Sequence, residues 1–266
     1  MRSKTFIISA IVLCAAVLLF SGYQIGSALI AGHKAEKQFA DAAAQIYTPE
    51  MSVTSDSLQF TSIPLAPSES TELPAPVWTV DDQYGRLFNK NPKMIGWISI
   101  DGTTINYPVM QTDNNSFYLT HGLDGTHSNH GVPFIDARCD IYAPSDNIMI
   151  YSHHMKDGTM FADLEKYKQE SYYHTHPIIE FDTRTGFGTY QIIAVFKVNP
   201  ANFPFNDFVD ASNGTSFDAY VSRCKALSFY DTGVTAVYGD KLITLSTCEY
   251  SQAGNRLAVV AKRVFP

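Results

Sequence analysis

Cys248 lies in the segment TLSTCEY, where the residue types around it are those expected beside a reactive thiol. Alternation along a strand places Thr244, Ser246 and Cys248 on one face and Ile243, Leu245 and Thr247 on the other. A structural cysteine is normally flanked by apolar residues on its own face. The pattern therefore assigns the thiol to the more polar face, where it is a candidate nucleophile.

Covalent catalysis by a thiol also needs a proton carrier and a donor for the oxyanion. Arg256 follows Cys248 by eight positions, and its permanent charge suits both a lowered thiol pKa and a developing oxyanion. The segment NIMIYS ends at a histidine pair, His153 and His154. Adjacent strand residues face opposite ways, so one of the pair is expected in the site, and spacing leaves open which.

Two other interpretations of these residues stay open at this point. A cysteine, a histidine and an arginine scattered over a hundred residues are often unrelated. The further histidines suggest a metal site, but neither HSNH nor HTH has the cysteine or carboxylate partners of a zinc pattern, and we predict none. These histidines are His127, His130, His174 and His176.

Three of the four cysteines, an odd number, lie outside the N-terminal apolar run. Cys14 lies within that run, which leaves Cys139, Cys224 and Cys248, so at least one thiol is unpaired or joined to another molecule. A Cys139–Cys224 disulfide is one alternative. The other is that Cys224 belongs to the apolar stripe of a helix.

Residues 5–32 carry no charged side chain and are long enough to cross a bilayer as a helix. We predict a cytoplasmic N-terminus at 1–4 and an uncleaved signal anchor at 5–32; a cleaved signal peptide is the alternative. The positive charges on either side favour an inside N-terminus only weakly. The net charge of −7, with basic residues spread along the chain, excludes nucleic acid as an expected partner.

After the anchor, residues 33–77 are predicted to form a short helical stalk and then a Pro-, Ser- and Thr-rich linker. A catalytic domain is predicted over 78–266, mainly β, with strands separated by turns in a closed or nearly closed barrel. A helical patch is expected at Asp81–Asn89, a helix capped by Thr159, and another capped by Ser216. Strands are predicted at GWISI and TTINYPVM around an Asp101-Gly102 turn, and at 147–152, 178–182, 188–198, 234–238, 241–247 and 257–264.

The segments TLSTC with arginine eight positions on, IYSHHMKDGTMF, NPKMIGWISIDGTTINYPVMQ, DNNSFYL and GVPFIDAR together resemble class B sortases, cell-wall transpeptidases of Gram-positive bacteria. The resemblance extends from Trp78 to Val264. It implies a sortase-type β-barrel with a few peripheral helices, preceded by an N-terminal transmembrane helix, with the catalytic domain outside the cell membrane.

Position by position, the resemblance implies that Cys248 is the nucleophile, Arg256 the oxyanion arginine and His153 the catalytic histidine. Family members usually have Gly before that histidine, and this chain has Ser152. The resemblance also implies four residues of the substrate groove: Asn115, Leu119, Ser246 and Glu249. The stretch NPANFPFNDFVDASNG is expected either to line the groove or to fill it from below.

The implied activity is that of a cysteine-type transpeptidase of the peptide hydrolase class, without metal or organic cofactor. It would cleave a sorting signal after Thr, of the Asn-Pro-x-Thr or Pro-Pro-x-Thr-Gly kind, and transfer the surface protein to a peptidoglycan-precursor or pilin amine. A cysteine endopeptidase that releases peptides to water, and a catalytically silent surface module, are the alternatives.

Overall fold

The computed structural model describes residues 2–46, 79–248 and 254–265. In these ranges eight strands close into a barrel in the order β1-β2-β3-β4-β7-β8-β6-β5, which confirms the predicted architecture. The strands are β1 (Met94–Ser99), β2 (Asn106–Met110), β3 (Phe134–Ile135), β4 (Asn147–Tyr151), β5 (Ile178–Thr183), β6 (Thr189–Val198), β7 (Leu242–Cys248) and β8 (Arg256–Phe265). The α-helices in the same ranges are α1 (Arg2–Ala43), α2 (Val80–Lys90), α3 (Glu170–Thr175) and α4 (Gly214–Leu227).

Two long neighbouring strands, β6 and β8, form the centre of the core. Residues 192–196 of β6 and 257–261 of β8 are fully or almost fully buried. Helix α4 packs on β6, so this strand is covered on its outer face as well as inside the barrel. Burial on both faces explains why these segments read as continuous apolar runs rather than as alternating ones.

The β1–β2 hairpin is present, and Gly102 in its turn has a φ of +73°, which glycine adopts without strain. The prediction of a strand at 234–238 is wrong. Its backbone groups bond to side chains instead: Val234 accepts from Lys225 Nζ at 2.6 Å, and Val237 N donates to Asp240 at 2.9 Å. Because β7 is already flanked by β4 and β8, the closed sheet offers this segment no edge.

The helix caps differ from the predicted ones. Asn213 caps α4, and Ser216 completes a capping box three residues later. Thr159 caps no helix, because its Oγ1 donates to Asp157 Oδ1 at 2.6 Å. The segment predicted as a helix after Thr159, residues 160–169, contains a 3₁₀ helix, Ala162–Lys168, instead of an α-helix, and α3 begins after it.

The C-terminal turns of α1 pack on the barrel. Phe39 is 6% exposed, and its ring meets Tyr107 of β2 edge-on at 5.3 Å between centroids. Gln38 Nε2 donates to Asp124 Oδ2 at 2.8 Å beside this contact. The first part of the predicted stalk, 33–43, is therefore helical and docked, whereas the predicted linker lies outside the described residues.

No helix in the described part of the chain meets the length and hydropathy expected of a membrane span.

Candidate active site

The strand pairing brings the three candidate catalytic residues to one rim of the barrel. Strands β4 and β7 are parallel, with Tyr151 paired to Ser246, so His153 and Cys248 each follow a paired position by two residues. Strand β8 returns antiparallel to β7, and its register places Arg256 directly opposite Cys248. Parallel strands end at the same side of a sheet, so the sheet itself gathers these residues.

Hydrogen bonds continue the contact between β4 and β7 beyond the last residue of β4. Ser152 N donates to Ser246 O at 3.2 Å, and Thr247 Oγ1 donates to Ser152 O at 2.9 Å. His154 Nδ1 donates to Cys248 O at 3.3 Å. The segment that carries both histidines is therefore bonded to the segment that carries the thiol, residue after residue.

The ring of His153 is held by a backbone carbonyl. Its Nε2 lies 2.7 Å from the oxygen of Leu119, the last residue of a 3₁₀ turn at Phe117–Leu119. A carbonyl oxygen accepts hydrogen bonds but cannot donate them, so Nε2 carries the hydrogen. In the neutral ring Nδ1 is then the basic nitrogen, the one that can exchange a proton with a substrate.

Ser152, which stands where the family usually has Gly, fits without backbone strain. Among the described non-glycine residues only Met160 has a positive φ, of 59°. The position before His153 therefore does not use the conformational freedom that glycine would provide.

The cysteines separate into one accessible and two inert thiols within the described barrel. Cys248 is partly exposed, whereas Cys139 and Cys224 are buried, and all are free, so the Cys139–Cys224 disulfide alternative is wrong. Burial raises the pKa of both Cys139 and Cys224 to about 12. Cys224 lies on the buried stripe of α4, as predicted. Of the barrel thiols, Cys248 is the one accessible to a substrate.

The candidate groove residues occupy different environments. Asn115 Nδ2 donates to Asp136 at 2.9 Å, and Asn115 Oδ1 accepts from Ala137 N at 2.8 Å, so its amide is bonded within the protein at both ends. Ser246 is buried on β7, and Leu119 presents its carbonyl to His153. Glu249 lies outside the described residues.

The aromatic residues of the stretch NPANFPFNDFVDASNG pack inward. Phe205 is fully buried against Phe196 of β6, edge-on at 5.6 Å, and Phe208 stacks on Tyr220 of α4 at 3.9 Å. Of the two alternatives for this stretch, the structure favours the one in which it fills the space beneath the groove.

The other histidines do not assemble a metal site among the described residues, where no group of three or more suitable ligands is found. His130 instead pairs with Asp157, with 2.8 Å between Nε2 and Oδ2. His121 and His127 face each other across an isolated β-bridge.

One feature beside the site, the buried carboxylate of Asp136, was not among the residues predicted from the sequence. It accepts hydrogen bonds from Arg138 Nη2 at 2.8 Å and from the hydroxyl of Tyr151 at 3.0 Å. The available signal was an acid two residues before an arginine in FIDAR, directly after an apolar pair.

Comparison with known proteins adds one family, two relatives and a solved structure. The family model described as "Sortase domain" matches residues 98–264. Sortase B of Staphylococcus aureus is 35% identical over 186 residues, covering 69% of this chain and 75% of that protein. Sortase B of Listeria monocytogenes is 30% identical over 250 residues, covering 94% of this chain and 92% of that protein. The solved "Staphylococcus aureus sortase B-substrate complex" has a TM-score of 0.64 at 34% identity, covering 68% of this chain and 84% of that one.

Proposed function

Because this chain belongs to the sortase family, as a class B member and hence a cysteine transpeptidase, we propose that it cleaves a C-terminal sorting signal after Thr and transfers the surface protein to an amine. The observation that carries this proposal is the strand register at one rim. Cys248 pairs with Arg256, and β4 brings His153 to the same side.

In the proposed first half-reaction, Cys248 Sγ attacks the Thr carbonyl as a thiolate. The C–N bond breaks, its electron pair goes to the leaving nitrogen, and the His153 imidazolium supplies the proton from Nδ1. The Leu119 carbonyl supports this role because it accepts from Nε2 in both charge states of the ring. The products are an acyl-enzyme thioester, a free amine and neutral His153.

In the second half-reaction an amine attacks the thioester carbonyl and Cys248 leaves as a thiolate. Neutral His153 takes the proton released by the attacking amine, which returns both residues to their starting forms. Arg256 stabilises the oxyanion in both steps with its permanent charge. Its position opposite Cys248 supports this assignment.

We assign the substrate groove to the rim beside Cys248, with Asn115, Leu119, Ser246 and Glu249 as its residues. The similar sortase B of Staphylococcus aureus has been solved as a substrate complex, which supports a substrate site on this chain as well. The proposed activity requires a Thr at the cleaved bond, preceded by a short proline-containing motif.

For location, we propose that residues 5–32 anchor the chain in the cell membrane with the barrel outside. The support is the sequence alone, which has no charged side chain over this range. The amine acceptor is then a peptidoglycan precursor or a pilin lysine. Fractionation of the producing cell tests the anchor: recovery of the full-length chain in the soluble fraction would refute it.

Mass spectrometry of residues 78–266 with a panel of Thr-containing sorting peptides tests the activity. Cleavage after Thr, and joining to an added amine, are expected, with Cys248→Ala forming no thioester. Cleavage with release to water only, even when amine is present, would identify an endopeptidase. No thioester with any peptide would favour a silent module.

A further inference from the structure

Asp136 is the most completely enclosed charged group beside the site. Its carboxylate is 0% exposed and follows β3 directly. One oxygen accepts from the backbone N and the Nε of Arg138, at 3.0 and 2.9 Å. The other accepts from Asn115 Nδ2, Arg138 Nη2 and the Tyr151 hydroxyl, at 2.9, 2.8 and 3.0 Å. A buried carboxylate with five donors is a fixed point for the segments that supply them.

The segment that contains Asn115 connects Asp136 to His153, because it continues into the turn whose carbonyl accepts the hydrogen bond from the His153 ring. Asn115 is two residues before the 3₁₀ turn that ends at Leu119. The side chain of the neighbouring Asn114 is bonded to the start of this turn, with its Oδ1 accepting from Phe117 N at 2.8 Å. Fixing Asn115 on Asp136 therefore fixes the carbonyl of Leu119, and that carbonyl sets the orientation of the His153 ring.

A second segment leads to His153 along β4. Tyr151 is the last residue of β4, two positions before His153, and its hydroxyl donates a hydrogen bond to Asp136. The same carboxylate is thus connected to both ends of the contact that orients the histidine: the strand that carries the ring and the loop that accepts its hydrogen bond.

Arg138 keeps the carboxylate charged and connects it to the segment between β6 and α4. Burial alone would raise the pKa of Asp136, but hydrogen bonds from Arg138 and Tyr151 outweigh it and leave the pKa below its ordinary value. The Arg138 side chain is 49% exposed and also donates to Asn206 O at 2.7 Å, in the segment between β6 and α4.

We propose that Asp136 is a positioning residue for His153, holding Leu119 and β4 in the relation that gives the ring one tautomer and one orientation. Asp136 does not touch the reacting atoms. The inference rests on the proposed function for its effect on turnover, but not for its effect on the histidine ring itself.

The test compares Asp136→Asn and Tyr151→Phe with a matched control, Asp146→Asn. Asp146 is also a largely buried carboxylate, paired with Lys241 at 2.8 Å, but it precedes β4 at the end opposite His153. Asp136→Asn is expected to lower kcat about 10- to 100-fold with KM changed less than about threefold, the scale of a misplaced catalytic group. Tyr151→Phe is expected to lower kcat about threefold, and Asp146→Asn to reduce Tm without changing kcat.

Nitrogen-15 NMR of the labelled histidines supplies a readout that does not depend on catalysis. In the wild type, neutral His153 is expected as the Nε2–H tautomer, and in Asp136→Asn and Tyr151→Phe as a mixture. Asp146→Asn should retain the wild-type spectrum. Asp136→Asn is expected to fold, because about half of the Arg138 side chain already faces solvent and its charge stays hydrated without the carboxylate. If Asp136→Asn does not fold, the NMR spectrum and kcat of Tyr151→Phe test the proposal.

The outcomes separate the two proposals. A wild type that processes no peptide, with the tautomer shift still present in the variants, would overturn the proposed function and leave the positioning role intact. An active wild type whose Asp136→Asn and Tyr151→Phe variants keep kcat and the single tautomer would overturn the positioning role. Equal loss of kcat in Asp146→Asn and Asp136→Asn would also overturn it, because stability alone would then explain the loss.

Discussion

Replacing His153 and His154 one at a time tests the proton-transfer assignment, because the two rings have different partners. His153 donates from Nε2 to Leu119 O at 2.7 Å and keeps Nδ1 as its basic nitrogen. His154 donates from Nδ1 to the backbone oxygen of Cys248 at 3.3 Å. His153→Ala removes the proposed proton carrier, whereas His154→Ala removes a long hydrogen bond to the chain that carries the nucleophile.

The two losses differ in size by orders of magnitude. Positioned general acid–base catalysis contributes about 10²- to 10⁴-fold, so His153→Ala should lower kcat by that factor. This factor corresponds to about 2.7–5.5 kcal/mol of transition-state stabilisation. A neutral hydrogen bond contributes about 0.5–1.5 kcal/mol, and the 3.3 Å bond of His154 belongs at the weak end. His154→Ala should therefore lower kcat only about two- to threefold.

The assay is steady-state cleavage of a quenched fluorescent sorting peptide with saturating amine, together with thermal unfolding of each variant. His153→Gln is the matched control, because its amide can donate to the Leu119 carbonyl but cannot carry the proton. It should retain the stability of the wild type and have the low kcat of His153→Ala. A larger loss in His154→Ala, or equal losses in both, would refute the assignment of proton transfer to His153.

At pH 8, iodoacetamide should modify Cys248 in the native barrel. Cys139 and Cys224 should react only after unfolding, because burial raises the pKa of each thiol to about 12. Alkylation of either buried thiol in the native protein, detected by peptide mapping, would contradict this prediction. Arg256→Lys keeps the charge but loses the planar fork, so kcat should fall about tenfold or more while thermal stability is retained; an unchanged kcat would remove Arg256 from the oxyanion site. Phe39→Ala should weaken the docking of α1 by about 3 kcal/mol, seen as faster hydrogen exchange over 33–43; unchanged exchange would mean that Phe39 does not hold the helix.

The sequence predicted the elements whose signals are local. The Asp101-Gly102 turn, the apolar runs of β6 and β8 and the buried stripe of α4 were all found where expected. The segment 234–238 has the composition of a strand, yet whether it pairs depends on a free sheet edge, which sequence does not reveal. Strand β3, only two residues long, was missed because its pairing depends on distant neighbours in β2 and β4.

In the candidate site, too, the sequence indicates what depends on local signals and does not indicate what depends on distant contacts. Cys248, His153 and Arg256 are signalled by residue type and by their positions at strand ends. The bond from His153 to Leu119 and the burial of Asp136 depend on contacts with the connection between β2 and β3, and nothing in the spacing of these residues indicates them. The packing of Phe39 of α1 on Tyr107 of β2 likewise joins segments far apart in the chain.

The strand order also determines when the candidate site can assemble during synthesis. Strands β7 and β8 follow all six other strands in chain order, yet they lie between β4 and β6 and complete the closed barrel. Until both have left the ribosome, β4 and β6 expose unpaired edges that other chains can join. Cys248 and Arg256 are therefore made after the rest of the candidate site and are positioned only when the barrel closes. A nascent chain that lacks β7 and β8 therefore has no assembled candidate site, and it carries two open strand edges until they pair.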